Sequence, residues 1–198
     1  VNQSFNPYKG PLAAYLDGGA VKRCPSFGDY HAAPGQISAN FEAGCGGYGY
    51  NDEYVGGRSD LYGFGDGSHY SARLSDACSP GSTVMFADTA FRQLLPDGQT
   101  VFIEYSFAHP PFWEWYVQTL REFPQASDSQ DIGGRPNPSI HFRHRGFTNV
   151  CWVDGHVSSE TMDLSAPYIT HAVMDDDESA RQALGWFGPD NNSLFDLR

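Results

Sequence analysis

The chain has 198 residues, 40% of them hydrophobic and 15% aromatic, enough for one packed core and too apolar for intrinsic disorder. Acidic residues outnumber basic ones 24 to 12, a formal charge of −12. That balance argues against nucleic acid and against adhesion to anionic lipid, both of which demand Lys and Arg.

No apolar run approaches the roughly 18 residues that a spanning helix needs. The 22 glycines and 13 prolines predict short elements joined by many turns. Pro11, a Leu/Ala/Tyr run and Gly18-Gly19 predict a short helix over 11–16, with Pro in its first turn and Gly at its stop. Residues 24–82 read as one long loop region, punctuated by Pro25, Gly28, Pro34 and Gly35 and by the glycines of 44–49 and 63–67. Residues 83–88 and 100–107 are apolar and β-branched and predict strands, with turn chemistry at Leu95-Pro96-Asp97-Gly98 between them. Residues 112–123 suit a short helix or an aromatic loop, and 125–139 an exposed loop.

Residues 148–162 carry the clearest signal, a β-hairpin around Asp154-Gly155. A two-residue primed turn there would place Val153 opposite His156, Trp152 opposite Val157 and Val150 opposite Ser159. Val150, Trp152 and Val157 would then share the core face, with Cys151 and Val153 on the other. Asp175 and Glu178 suggest a capping box that opens a helix through Leu184, stopped by Gly185. The tail, 185–198, is irregular and aromatic. The expected architecture is a single domain over 1–198.

Cys24, Cys45, Cys78 and Cys151 form no C-x-x-C, so zinc-ribbon and thioredoxin chemistry lose their usual support. Their even number in a Lys-poor chain suggests an oxidising compartment and up to two disulfides. Three pairings exist; Cys24–Cys45 with Cys78–Cys151 is preferred, and four reduced thiols are the alternative. Gly44-Cys45-Gly46-Gly47-Tyr48-Gly49 matches G-x-G-x-x-G in form only, because no helical pattern follows to meet a phosphate. There is no H-E-x-x-H, G-x-S-x-G, Walker A or S-x-x-K motif. A His144–Asp154 dyad is unfavourable, because an extended 148–153 separates its ends by roughly 17 Å. Asp175, Asp176 and Asp177 suit a helix N-terminus better than a cation. Asp190, Asn192 and Asp196 offer short oxygen ligands in an irregular loop and are the calcium candidates, without the full EF-hand pattern. Asn2-Gln3-Ser4 and Asn191-Asn192-Ser193 are glycosylation sequons in form.

His144, nine residues, then Asp154-Gly155-His156 is an H-x9-D-G pattern. It resembles the prepilin-type proteins related to type II secretion pseudopilins, of Planctomycetes and Verrucomicrobia-type bacteria. Other segments fall in that family's order: 21–26 with Cys24-Pro25-Ser26, then Tyr48-Gly49-Tyr50-Asn51, the strand 82–88 ending in Asp88, and the tail 185–192. The resemblance spans about 11–196.

It implies an α+β pilin-like headgroup, an antiparallel sheet with short helices and long loops. The family's cleavable leader and apolar membrane/filament helix are absent from this sequence. The implied role is structural rather than enzymatic: the head of a type IV pilus or type II secretion-like subunit. No cofactor is required, with calcium, known in some pseudopilins, as the candidate. The implied location is extracytoplasmic, membrane-anchored before assembly in a full-length chain. The implied partners are other pilin-like subunits, through the missing N-terminal helix, and the secretion or pilus assembly machinery. His144, Asp154, Gly155 and His156 would be structural signature residues.

Two other classes compete. A carbohydrate-binding or adhesin module would present Trp113, Trp115 and Tyr116 to a surface glycan. A secreted hydrolase would gather His144, Asp88 or Glu104 in a cleft.

Overall fold

The computed structural model describes residues 24–30, 45–62, 69–113, 136–163 and 176–198. The expected helix at 11–16, most of 112–135, and Asp175 of the expected capping box lie outside these residues.

Two largely apolar strand sequences form the centre of the largest sheet. β2 (Val84–Asp88) and β6 (Phe147–Trp152) pair antiparallel, flanked by β1 (Tyr48–Tyr50) beside β2 and β7 (Val157–Thr161) beside β6. A second hairpin pairs β3 (Phe91–Leu94) with β4 (Thr100–Ile103). A short ladder pairs β5 (Ile140–His141) with β8 (Leu184–Gly185). Bridges from Thr89 to Ile140 and from Tyr50 to Phe107 tie the small pieces to the large sheet. Two short helices, α1 (Ser59–Tyr62) and α2 (Asp176–Gln182), complete the described elements with three 3-10 turns. At this level the antiparallel sheets and few helices agree with the α+β expectation. No helix among the described residues is long and apolar enough to cross a membrane.

The core forms where alternate residues of β6 turn inward. Thr148, Val150 and Trp152 are buried, and Val150 and Trp152 share an apolar cluster with Val84, Ala87, Phe142, Trp186, Phe187 and Phe195. Each large apolar side chain so buried stabilises the fold by roughly 1.5–3 kcal/mol relative to exposure. Asn51 locks the tail onto this core, its amide donating to the carbonyls of Val84 and Phe195 at 2.9 and 2.8 Å.

The β6–β7 hairpin exists, but its register differs from the expected one by one residue. Cys151 faces Val157 and Val150 faces Ser158. The Gly155 N–H bonds to the Trp152 carbonyl, and the Trp152 N–H to the His156 carbonyl. Only Gly155 takes positive φ, at 91°, so the connection is a three-residue loop over 153–155, not a primed two-residue turn. A one-residue slip moves a side chain to the opposite face. Val157 is accordingly 66% exposed instead of sharing the core with Val150 and Trp152.

The β3–β4 connection repeats this loop. Gly98 N–H bonds to the Leu95 carbonyl, Leu95 N–H to the Gln99 carbonyl, and Gly98 has φ 81°. In both loops the aspartate carboxylate accepts the N–H two residues on: Asp97 from Gln99 and Asp154 from His156, each at 3.0 Å. That is the Asx geometry that suits Asp before Gly.

Other expectations need correction. The loop region 24–82 contributes a strand, β1, to the main sheet. The strand expected over 100–107 ends at Ile103, and its partner is β3, a strand that the sequence reading did not assign. Helix α2 stops at Ala183, which has φ 52°, and Leu184 and Gly185 belong to β8. The Glu178 carboxylate accepts from Arg92 and Gln182 at 2.5 and 2.8 Å.

Replacing Gly155 with Val should lower stability by about 1–3 kcal/mol, because a β-branched residue at positive φ is strained. Open space lies where a Cβ would go, so Gly155→Asn, which tolerates this conformation, should retain most of the stability. Gly98→Val should behave likewise. Thermal melts of the three variants test this; equal midpoints for Gly155→Val and the parent would contradict the loop assignment.

Candidate functional site: a buried ionic cluster around Asp88

Arg143 and His144 are placed by a turn, not by a strand. His144 and Phe147 exchange both backbone hydrogen bonds, at 3.0 and 3.2 Å, around Arg145 and Gly146. Both central residues have positive φ, 60° and 88°, which is the primed-turn signature. The primed turn thus opens strand β6, while Asp154-Gly155 closes it with the other loop type.

Asp88 ends β2 and its side chain points inward, 1% exposed. One carboxylate oxygen accepts from the Arg143 guanidinium at 2.5 Å. The other accepts the Asn149 N–H at 2.8 Å and lies 3.1 Å from His144 Nε2. The Arg143 side chain is 0% exposed. It donates to the carbonyls of Gly47 at 2.7 Å and Thr89 at 3.2 Å, and its Nε donates to Cys24 Sγ at 3.3 Å. Its guanidinium also stacks over the Phe27 ring, 5.1 Å from the centroid. Gly47 serves this site: at φ 81° it turns its carbonyl toward Arg143, and a Cβ there would meet Phe27 and Arg143 at 3.0–3.2 Å.

His144 stands at the open side of the cluster. Its Nε2 lies 3.5 Å from Cys24 Sγ, and its Nδ1 lies 3.4 Å from Ser26 Oγ. Cys24, Asp88 and His144 each offer one donor atom, all within 4.8 Å of one another. Tyr48, across from Asp88 in the sheet, borders the cluster. Burial pushes its phenol pKa up, and the nearby Cys24 and Asp88 add to the shift.

These contacts settle the expected site residues. His144 and Asp154 do not meet, as the strand length required. His144 has Asp88 as its partner, and Asp154 pairs with His156 at 2.6 Å on the exposed hairpin end. Hydrogen bonds from the His156 backbone and ring hold the Asp154 carboxyl below its ordinary range. No disulfide joins the four cysteines, which corrects the expected pairing of Cys24 with Cys45 and Cys78 with Cys151. Cys24 is 2% exposed and spends its sulfur on Arg143 and His144, Cys78 is exposed, and Cys151 faces the Trp152 carbonyl at 3.7 Å.

The calcium candidates lie in the C-terminal tail. Asn192 is buried, its oxygen accepts the Phe112 N–H at 2.9 Å, and its amide donates to Tyr54 and Phe112. Asp196 accepts the Arg198 N–H, and Asp190 is exposed.

Of the hydrolase candidates, Asp88 and His144 do meet, while Glu104 is not among the donors that converge there. The two imidazole nitrogens of His144 face different groups, Nδ1 the Ser26 hydroxyl at 3.4 Å and Nε2 the Asp88 carboxylate at 3.1 Å, as in the outline of a nucleophile–His–Asp relay. The same Nε2 also faces Cys24. Among the glycan candidates, Trp113 is half-buried with its ring edge against His109, and Trp115 and Tyr116 lie outside the described residues.

Arg143 escaped the sequence reading. It was visible only as the neighbour of His144, and nothing local marks an arginine as buried.

No family model, no curated protein and no solved structure matches the chain.

Breaking one partner of the Asp88–Arg143 pair should cost about 3–5 kcal/mol, because the other charge stays buried without compensation. Chemical denaturation of Asp88→Asn and Arg143→Met measures it. A loss under 1 kcal/mol in both, on the same order as an exposed pair, would contradict the buried network.

Two further histidines should make the fold acid-sensitive. Burial lowers His109 to about 4 and His141 to about 3, the latter aided by Arg143 and His144. The unfolded chain binds these protons near pH 6.5, and the folded chain does not. Stability is therefore complete above pH 6.5 and falls as pH drops toward 4, by up to about 1.4 kcal/mol per pH unit for each histidine. The denaturant midpoint should be flat from pH 7 to 8 and decline from 6.5 to 4.5. His141→Gln, which cannot take the charge, should reduce that slope; an unchanged slope would contradict the assignment.

Proposed function

We propose that the chain is the globular head of a pilin-like or pseudopilin subunit, with a structural and not an enzymatic role. One observation carries the reading: the separate segments that resemble the prepilin-type family meet at a single buried network. Cys24 and Ser26 come from the first, Tyr48 from the second, Asp88 from the third and His144 from the H-x9-D-G signature. The tail segment joins the same scaffold through Trp186, whose indole donates to the His109 carbonyl at 3.0 Å. Asp154 and Gly155, the rest of the signature, close a hairpin. Residues that hold segments together suit a head whose task is shape.

On this reading the partners are neighbouring subunits, engaged through an apolar helix preceding the head, and the assembly machinery of an extracytoplasmic filament or secretion system. The test is to express the gene in its native cell with all of its upstream coding sequence. An N-terminal apolar segment of about 20 residues, a cleaved leader and the product in the membrane or filament fraction are the expected results. A freely secreted monomer without such a segment would overturn the proposal. On a glycan array, saturable binding lost on Trp113→Ala would favour the carbohydrate-binding module in its place.

A further inference from the structure

We propose that Cys24, Asp88 and His144 form a three-residue binding site for a divalent first-row transition cation, with zinc as the reference ion. Zinc bonds sulfur at about 2.3 Å, imidazole nitrogen at about 2.0–2.1 Å and carboxylate oxygen at about 2.0–2.2 Å. Tetrahedral angles then put nitrogen and oxygen roughly 3.3 Å apart, and nitrogen and sulfur roughly 3.6 Å apart. Here Nε2 lies 3.1 Å from Asp88 Oδ2 and 3.5 Å from Cys24 Sγ. The third edge is within 4.8 Å. A tetrahedral ion would hold that sulfur and oxygen roughly 3.6 Å apart, so two edges already fit within a few tenths of an ångström and the third would close by up to about 1.2 Å.

A single Nε2–H cannot point at both sulfur and carboxylate, whereas one ion can accept all three donors.

The surroundings are those a ligated ion needs. Imidazole ligands are usually oriented through their second nitrogen, and Nδ1 faces Ser26 Oγ at 3.4 Å. Arg143 holds Asp88 through Oδ1, which leaves Oδ2 for the ion, and donates to the sulfur. The Asn149 N–H also donates to Oδ2, at 2.8 Å, so that oxygen would share its lone pairs between the amide and the ion. With Cys24 a thiol, the carboxylate and the guanidinium cancel; the thiolate and a divalent ion bring the loaded centre to one positive charge. The thiol proton leaves to solvent as the metal–sulfur bond forms. A sulfur and an imidazole select zinc, cobalt or a similar ion over calcium and magnesium, which want only oxygen. Cys24 and Asp88 are buried, and His144 is 28% exposed, so the fourth coordination position opens beside His144.

This inference does not depend on the head-domain reading. The test uses the chain after reduction and chelator treatment, titrated with Co²⁺ and then competed with Zn²⁺. The expected result is one cobalt per chain, with a thiolate-to-cobalt absorption band in the near ultraviolet that zinc abolishes. Cys24→Ser should remove the band. His144→Asn and Ser26→Ala should weaken binding by at least about 10-fold, while retaining the metal-free circular dichroism. The triple variant Cys45→Ser, Cys78→Ser, Cys151→Ser should bind like the parent. Should Cys24→Ser fail to fold, the His144→Asn titration decides alone. A folded parent with no cobalt band at stoichiometric metal would overturn the site. So would binding unchanged in both Cys24→Ser and His144→Asn, or binding lost in the triple variant.

Discussion

A carboxylate and a guanidinium removed from water must be satisfied almost completely, and the pairing of Asp88 with Arg143 imposes that demand on the chain around it. Burying two charges costs several kcal/mol each, so the pair is not a source of stability by itself. It persists because nearly every donor and acceptor is used. Arg143 reaches the carbonyls of Gly47 and Thr89 and the sulfur of Cys24, and Asp88 also takes the Asn149 N–H. The partners come from four segments, around Cys24, Gly47, Asp88–Thr89 and Arg143–Asn149, so the arrangement holds only when all are docked. The β2–β6 ladder pairs Phe86 with Cys151 and Ala87 with Val150. Its next step would bring Asp88 beside Asn149, and there the carboxylate replaces a backbone acceptor. The ion pair therefore fixes one end of the sheet as well as the loop segments.

Strand β6 is bounded by two turns of different type, and this decides what each histidine can reach. Arg145 and Gly146 turn the chain tightly at its start, which leaves His144 against the end of β2. The three-residue loop at its far end leaves His156 on Asp154 in solvent. Six extended residues span roughly 20 Å, so the two His–Asp contacts cannot communicate directly.

Local chemistry was legible where one residue type answers to one geometry. β2 and the β6–β7 hairpin follow from apolar runs and Asp-Gly, and the inward set Val150 and Trp152 follows from alternation. The register was not legible, because Asp-Gly serves both two- and three-residue loops, and the choice lies in backbone angles that the letters do not record. Val157 fell on the wrong face for that reason alone. Strands of two to four residues, β3, β5 and β8, carry too few positions for a period to emerge. In the site, His144 and Cys24 are 120 residues apart, and only the folded sheet brings them together.

The two halves of the H-x9-D-G signature differ in how much they say about kinship. Asp97-Gly98 forms the same three-residue loop as Asp154-Gly155, with the same carboxylate-to-N–H bond, and belongs to no signature. Asp-Gly at a hairpin is thus a solution that backbone geometry selects repeatedly, and unrelated chains will share it. His144 is different. Its partners come from Cys24, Ser26 and Asp88, none of which a turn requires, and the segments that supply them also follow the resembled family in order. The cluster around Asp88, and not the Asp-Gly hairpin, is therefore the part of this pattern that backbone geometry alone does not dictate.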